Sequence, residues 1–436
     1  MKPLALSAFI FATVASLQAQ TPPPATEDPR ILDLERKVDA LSQALEQERG
    51  PAAPAQAAPG LASAEGLGPA ASKVYGVASG VSLGGYGEFL YQNFDRKLQN
   101  GTDLPQHDTF DTLRGVFYVG YRFNDWILFN SEVEFEHSGV SDEHAQGEAI
   151  LEFAYLDFLI NPAFNIRAGQ VLLPLGFTNE LHEPPSVLSA QRPFLEQEGG
   201  LIPTTWHENG VGIHGRFLSE QFTYRVYTVT SLNAAGFDAT GITGGRQDGH
   251  QAMADHFALT GRLDWTPLPG STLGFGFYRG TSAYAPADAP QVMPYAVPVS
   301  LGELHAEYKG GPWQLRGLLV RSTVGAEQLQ ALGAGAPAYQ IGTHQWGGYL
   351  EAGYDVLART GSRQALLPFV RWERMNLQQR VAQGVTPDLG NDLSIVTSGF
   401  SWKPIPNIAV KASYNIIRNA ARTGRNELDL GLGYEF

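Results

Sequence analysis

Hydrophobic and polar residues alternate with a period of two along most of residues 76–436. Between residues 110 and 123, the apolar positions include Leu113, Phe117 and Val119, and the positions between them include Thr112 and Arg114. A period of two is typical of a β-strand with one apolar and one polar face. The runs are about 10–14 residues long, near the length that a tilted strand needs to cross a bilayer. The pattern predicts an all-β protein, a transmembrane antiparallel β-barrel.

Counting the runs from residue 80 onward predicts about 16 strands, an even number as in bacterial single-chain barrels. Short turns such as Asn124-Asp125 alternate with long polar loops, as expected for periplasmic turns and outer loops. The run at 147–160 fits least well, because Glu152 and Asp157 fall on opposite parities. The last alternating run ends on Phe436, which resembles the insertion signal of outer-membrane barrels. The predicted strands start near residues 80, 110, 126, 147, 164, 208, 221, 256, 271, 298, 312, 343, 364, 391, 407 and 425.

A secretory signal peptide is predicted over residues 1–19. Lys2 precedes an apolar run at 4–17, and small residues follow it. The alternative, a membrane anchor, is disfavoured because the run is shorter than the ~20 residues that span a bilayer. The barrel is therefore expected in the bacterial outer membrane, with the amino-terminal segment in the periplasm.

A short coiled coil is predicted over residues 28–49, followed by an Ala/Pro-rich linker over 50–75 and the barrel over 76–436. Asp28 and Pro29 suit a helix start. The apolar stripe has spacings of three and four, as in a seam between copies of one helix. The alternative is a helix lying on its own domain. The stripe consists of Ile31, Leu34, Val38, Leu41 and Leu45.

The composition excludes several classes of protein. Charged residues make up 17% of the chain, hydrophobic residues make up 43%, and the formal net charge is −14. A long disordered chain would carry more charge and fewer aromatic residues. A chain this acidic does not favour nucleic acid as a partner, because a basic surface supplies most of that affinity. The chain has no cysteine, which excludes disulfides, cysteine nucleophiles and thiolate metal sites.

Neither an enzyme nor a cofactor is predicted. The chain contains no Gly-x-Ser-x-Gly elbow and no phosphate-binding loop. No metal site is predicted either, because no histidine group has a recognisable ligand spacing. The histidine groups considered are His182-Glu183, His207-Glu208, and the set Asp103, His107 and Asp108.

Four stretches resemble the phosphate-selective porin O/P family of bacterial outer-membrane porins. They are Gly84–Glu88, Ile166–Gln170, Pro174–Phe177 and Ile202–Ile213. The resemblance implies a homotrimer of 16-stranded barrels in outer-membrane lipid, with a third loop folded inward to narrow each pore. Some members carry an amino-terminal coiled coil, which residues 28–49 would match. The best-known members bind anions with dense arginines and lysines, whereas this chain has few lysines and is acidic.

The parity of the strands predicts which charged side chains face the lumen and set what it admits. A long loop over 174–207 is expected to form the constriction, with Arg192 as its inward-facing cation. The wall arginines either pair with wall carboxylates or form an unpaired ladder. The predicted pore-lining residues are Arg192, Arg167, Arg225, Arg114, Arg122, Arg262, Arg316, Arg371, Glu132 and Glu134; Arg216, Lys411, Glu88, Glu136, Asp264, Glu351 and Glu373 share their parity.

The sequence therefore predicts a porin for passive diffusion of small hydrophilic solutes or ions, with either a mild preference for anions such as phosphate or near-neutral selectivity. The expected preference rests on Arg192 meeting Arg167 and Arg225 at the constriction. The alternative is a structural anchor, in which the barrel tethers a periplasmic coiled coil to the cell wall or to a partner complex. The sequence does not name the solute.

Overall fold

The computed structural model describes residues 63–139, 147–286, 293–333 and 335–436. It shows a closed barrel of 16 antiparallel strands, in which each strand pairs with its neighbours along the chain and β16 closes the ring against β1. The strands are β1 (Gly80–Phe94), β2 (Thr109–Arg122), β3 (Ile127–Glu136), β4 (Glu148–Asn161), β5 (Phe164–Leu172), β6 (His207–Phe217), β7 (Phe222–Thr230), β8 (Phe257–Trp265), β9 (Ser271–Tyr284), β10 (Met293–Gly310), β11 (Trp313–Val324), β12 (Gly342–Tyr354), β13 (Ala365–Val381), β14 (Asp392–Ile405), β15 (Ile408–Asn419) and β16 (Glu427–Glu435). Two short helices are α1 (Lys73–Gly76) and α2 (Ala326–Leu332).

The predicted barrel and its strand number are confirmed. Every strand begins within two residues of its predicted start except β10, which begins at Met293 rather than near 298. The pairing of β10 with β9 shifts register between Met293 and Val297. Because the register shifts there, regular alternation begins only after Met293, and the sequence pattern predicts a later start for β10. The predicted coiled coil and signal peptide lie outside the described residues.

The two faces of the wall separate as the alternation requires. On β16, Leu428, Leu430 and Leu432 point outward and are 38–45% exposed, whereas Asp429 points inward and is buried. Large aromatic side chains lie on the outer face at the end of the barrel that carries the short turns, where an interfacial girdle is expected. They are Tyr121, Phe123, Trp126, Trp265, Trp313, Trp402 and Phe436. Among the described residues, no helix has the length and apolar character to cross a membrane.

The irregular run at 147–160 contains a β-bulge. The pairing of β3 with β4 steps from Glu132 opposite Phe153 to Val133 opposite Leu151, so Glu152 has no partner residue. Glu152 and Phe153 are consequently both buried, although they are neighbours in the chain. A bulge of this kind redirects a side chain. It explains why Glu152 and Asp157 have opposite parities and yet both point into the barrel.

The 34 residues between β5 and β6, which we call loop 3 (residues 173–206), pack against the inner face of the wall. The backbone N–H of Ala190 donates to the Ser413 hydroxyl on β15 over 2.8 Å. Tyr349 on β12 donates to Glu196 over 2.7 Å. These contacts join loop 3 to strands far from its own ends. Its apolar side chains form a buried cluster with wall residues, and Trp206, Leu173 and Leu195 are fully buried there.

The amino-terminal part of the described chain, residues 63–79, also packs inside the wall. We call it the N-terminal segment. Leu67, Ala70 and Val74 are at most 2% exposed, and the side chain of Asn130 on β3 donates to the Ala71 carbonyl over 3.0 Å. Residues 50–75 are predicted to form a linker. For residues 63–75 that assignment is wrong, because the small residues that suggested a linker are those that fit closely against the wall.

Candidate functional site

Most of the predicted pore-lining arginines form ion pairs with carboxylates inside the barrel. Arg371 lies 3.0 Å from Glu351 and 2.8 Å from Glu373. The other pairs are Arg167 with Asp157, Arg225 with Glu180 and Asp264, Arg262 with Asp264, Arg316 with Glu307, Arg216 with Glu65, and Arg114 with Glu88, Glu134 and Glu136. Arg122 instead donates to the backbone carbonyls of Tyr75, Asn124 and Asp125. Of the two arrangements expected for the wall arginines, pairing describes the structure.

The wall also fixes loop 3 through its backbone amides. The carboxylate of Glu373 on β13 accepts hydrogen bonds from the N–H groups of Phe194 and Leu195 over 3.2 and 3.0 Å. The same carboxylate accepts from Arg371, which also donates to the Ser189 hydroxyl over 2.6 Å. The Arg371–Glu373 ion pair of the wall therefore holds two separate parts of loop 3.

A polar cavity of about 290 Å³ lies on the side of the long loops, and we call it the outer cavity. Arg192 of loop 3 lines it, is 9% exposed and donates to the Thr204 hydroxyl. Seven carboxylates share the lining with three arginines, so the outer cavity is acidic. The carboxylates belong to Glu88, Glu134, Glu136, Glu148, Glu152, Glu198 and Asp248, and the arginines are Arg114, Arg192 and Arg246.

A second polar cavity, of about 270 Å³, lies on the side of the short turns, and we call it the inner cavity. The N-terminal segment lines it together with loop 3 and the wall. Its charged residues are Glu65, Glu180, Arg216, Arg225, Arg262, Asp264 and Glu307. These carboxylates and arginines are nearly balanced, unlike those of the outer cavity.

Glu65 ties the N-terminal segment to β6. Its carboxylate lies 3.2 Å from the His214 ring and 3.3 Å from Arg216. Burial acts to raise the pKa of Glu65, but the hydrogen bond with His214 and the charges of His214, Arg216 and Arg167 outweigh it and hold that pKa below its ordinary value. Glu65 is therefore a charged group of the inner cavity, although it lies within the predicted linker.

The three arginines expected together at the constriction are distributed over different places. Arg192 lines the outer cavity and Arg225 lines the inner cavity. Arg167 lies 2.9 Å from Asp157 and stacks over the Tyr155 ring, with 4.2 Å from its guanidinium carbon to the ring centre. The parity of the strands showed that these wall arginines point inward. It contained no information about which part of loop 3 would lie beside them.

Sequence reasoning missed one cluster of buried polar groups. Glu132 on β3, Glu152 on β4 and His182 in loop 3 place one ligand-type atom each within 4.8 Å of the others. The imidazole Nε2 of His182 is 3.0 Å from Glu132 Oε1 and 3.9 Å from Glu152 Oε2. The available signal was the broken alternation at Glu152, which marks the bulge that turns this carboxylate inward.

The other histidine groups singled out in the sequence make local contacts. His207 shares a hydrogen bond with the Thr205 carbonyl over 2.7 Å. Glu208 accepts from the Thr230 hydroxyl over 2.9 Å. Asp108 accepts from Tyr91 and Asn93 at the surface. None of these contacts brings together three ligand-type groups.

Comparison with solved structures shows the fold of a bacterial outer-membrane porin. OmpF of Salmonella typhi, in a complex with daunomycin, superposes with a TM-score of 0.55 over 82% of this chain and 98% of its own, at 12% identity. An anion-selective porin from Comamonas acidovorans superposes with a TM-score of 0.50 over 82% of this chain and 100% of its own, also at 12% identity. At this identity the likeness concerns the fold alone.

The sequence itself identifies a family. A protein of Aquifex aeolicus (strain VF5), described as uncharacterized, is 35% identical over 358 residues, which are 80% of this chain and 78% of that protein. The chain belongs to the same family as this Aquifex protein. No family model matches the chain.

Proposed function

We propose that the protein is an outer-membrane porin through which small hydrophilic solutes or ions diffuse passively. The observation that carries this proposal is the closed 16-stranded barrel with a polar cavity toward each end, about 290 and 270 Å³ in volume. A barrel of this size encloses an aqueous channel unless its lumen is filled. Loop 3 lines both cavities and the N-terminal segment lines the inner one, so both segments narrow the path through the barrel.

The proposal includes the topology of the whole chain. Residues 1–19 are a signal peptide, residues 28–49 form a periplasmic coiled coil, and the chain then enters the barrel at the side of the short turns. That side faces the periplasm in outer-membrane barrels. The barrel assembles as a homotrimer in outer-membrane lipid, as the resemblance to the porin O/P family implies.

The charges of the lining favour cations. Seven carboxylates and three arginines line the outer cavity, and nearby charges act strongly where the channel is narrow and water is scarce. This balance argues against the expected preference for anions such as phosphate. A moderate cation preference is therefore part of the proposal.

A structural anchor is the second candidate, and one observation favours it. The buried cluster inside the barrel includes fully buried residues of loop 3, of the wall and of the N-terminal segment. A lumen filled in this way would hold the barrel rigid and pass little current. The anchor would use the barrel only to hold the coiled coil at the membrane.

Single-channel recording on the refolded full chain distinguishes the two candidates. A porin gives stepwise currents in a planar bilayer, and reversal potentials under a salt gradient report its ion preference. A barrel that inserts, shown by heat-modifiable migration on a gel, yet gives no current steps, would overturn the porin and favour the anchor.

A further inference from the structure

The cluster of Glu132, Glu152 and His182 is built on three elements that the fold brings together inside the barrel. Their side chains are 0%, 1% and 2% exposed. Two carboxylates and one imidazole direct their ligand-type atoms at a common point, with all of these atoms within 4.8 Å of one another. Two buried carboxylates at this distance repel each other unless a cation lies between them or one of them holds a proton.

Two oxygens of the cluster lack a partner. Among the described residues, no donor lies within hydrogen-bond distance of Glu132 Oε2 or Glu152 Oε2, and both atoms are shielded from solvent. A buried charged oxygen without a partner lowers the stability of the fold, and a bound cation would satisfy both of these oxygens. The nearby Arg114 is engaged elsewhere, because its guanidinium faces Glu88, Glu134 and Glu136.

The orientation of His182 points to the same conclusion. Its Nδ1 lies 3.2 Å from the Asn179 carbonyl, which can only accept, so Nδ1 carries a proton and donates to it. A metal-binding histidine commonly directs one ring N–H to a carbonyl in this way and offers its other nitrogen to the ion. Here that other nitrogen, Nε2, faces both carboxylates. It lies within hydrogen-bond distance of Glu132 Oε1 and of the Tyr118 hydroxyl, at 3.0 and 3.4 Å, so a bound ion would take the place of a proton shared with Glu132.

We propose that Glu132, Glu152 and His182 bind a divalent transition-metal ion, with Zn²⁺ as the best fit. One imidazole nitrogen and two carboxylate oxygens suit Zn²⁺, whose ligands stand about 2.0–2.2 Å away. In a tetrahedral site at that radius the ligand atoms lie about 3.4 Å apart. The separations of 3.0 and 3.9 Å around Nε2 bracket this value.

The site has a path from solvent and a structural consequence. Glu152 also lines the outer cavity, whose exposed rim includes Glu148 and Glu198, so an ion can reach the cluster from that side. A metal bound there joins loop 3 to β3 and β4 through direct ligand bonds. It thereby fixes the position of loop 3 in the lumen whether or not the barrel conducts.

The test is Zn²⁺ titration of the refolded full-length barrel in detergent after treatment with a chelator. Calorimetry is expected to give one tight site per chain, and Co²⁺ at the same site should give the visible absorption bands of tetrahedral coordination. Glu152→Gln and His182→Gln should each weaken binding at least about tenfold, since even the loss of a group that only orients a ligand costs that much. Glu327→Gln, on the exposed face of α2, and His107→Gln, at the surface between β1 and β2, are the matched controls and should bind as the unaltered chain does.

The outcomes separate a metal from a shared proton. A proton on His182 or Glu152 would also satisfy the cluster, and the unaltered barrel would then bind no Zn²⁺, which overturns the proposal. Binding that survives both Glu152→Gln and His182→Gln places the ion elsewhere and overturns it too. If one variant does not give a heat-modifiable barrel, the other variant and the Co²⁺ spectrum of the unaltered chain still decide.

Discussion

Glu196 of loop 3 joins two parts of that loop to Tyr349 on β12. One carboxylate oxygen accepts from the N–H groups of Phe177 and Thr178 over 2.6 and 3.0 Å, and the other accepts from the Tyr349 hydroxyl over 2.7 Å. Glu196 is fully buried. A buried carboxylate with three donors fixes the backbone around it, because any movement leaves a charge unsatisfied.

Loosening this junction should make loop 3 mobile. Tyr349→Phe removes one donor to a buried carboxylate, and a hydrogen bond to a charged group contributes about 1.5–3 kcal/mol. We expect the variant to insert as a barrel but to show larger open-channel current fluctuations. Glu196→Ala should have the greater effect, since it leaves all three donors without their acceptor.

Tyr308→Phe provides the control for these variants. Tyr308 lies on the outer face of β10 and is 39% exposed, so its hydroxyl is remote from loop 3. Fluctuations that are equal in Tyr349→Phe, Tyr308→Phe and the unaltered chain would show that this hydrogen bond does not hold loop 3.

The N-terminal segment should restrict the inner end of the channel. A side chain on Gly68 would meet the carboxylate of Glu183, with a Cβ only 1.7 Å from Oε2, whereas a side chain on Gly76 would meet open space. Gly68→Val should therefore displace the segment and raise single-channel conductance, and deletion of residues 63–76 should raise it further. Gly76→Val is the matched control.

Deletion of residues 21–62 tests whether the barrel fold needs any residue that precedes the N-terminal segment. This shorter chain keeps the N-terminal segment and should insert with unchanged conductance. A failure to insert would mean that the barrel fold begins before the N-terminal segment.

For the glycine variants, equal conductance in Gly68→Val and Gly76→Val would mean that the N-terminal segment does not lie in the conducting path.

The strands of the barrel wall were predictable from the sequence, whereas the packing of loop 3 and the N-terminal segment inside it was not. The alternation of Leu428, Asp429 and Leu430 fixes both the strand and its inward face, because a strand has only two faces. Loop 3 contacts Glu373 and Ser413, 178–223 residues later in the chain, through backbone amides that carry no residue-specific signal. Side-chain patterns therefore located Arg371 in the lumen but not its contact with Ser189.

The linker predicted over residues 63–75 has a physical explanation. Glu65 and its neighbours lie in a segment rich in Ala, Gly and Pro. This composition is typical of a solvent-exposed linker. Small residues also allow a backbone to approach a packed wall closely, as Ala70 and Ala71 do here. Local composition does not distinguish these two settings.

The carboxy-terminal residue should be required for assembly. Phe436 closes the barrel by exchanging backbone hydrogen bonds with Gly85 over 2.9 and 3.0 Å, and its ring packs at the outer face. Deletion of Phe436 should sharply lower the yield of heat-modifiable barrel, while deletion of Gly335 in a long loop should not. Equal yields from the two deletions would contradict this role.

Stability should fall with rising pH through the buried carboxyl of Glu183 in loop 3. Burial raises the pKa of Glu183 above its ordinary value of 4.5. The folded state then holds the proton more tightly than the unfolded state, so stability declines as the pH rises from 4.5 through the raised pKa. Glu183→Gln should make the free energy of unfolding in urea less dependent on pH over this window, and Glu148→Gln should not.

Ion preference should respond to Arg192. This guanidinium lines the outer cavity among seven carboxylates, so Arg192→Glu makes the lining more negative at the narrow part of the path. We expect the reversal potential to shift toward cations. Arg359→Glu makes the same change of charge in an exposed short turn, where salt screens charges beyond about 8 Å, and should leave the reversal potential unchanged. A channel whose selectivity is the same in both variants would show that the outer cavity does not set it. Because Glu65 lies in the inner cavity, Glu65→Lys should also move the reversal potential, toward anions.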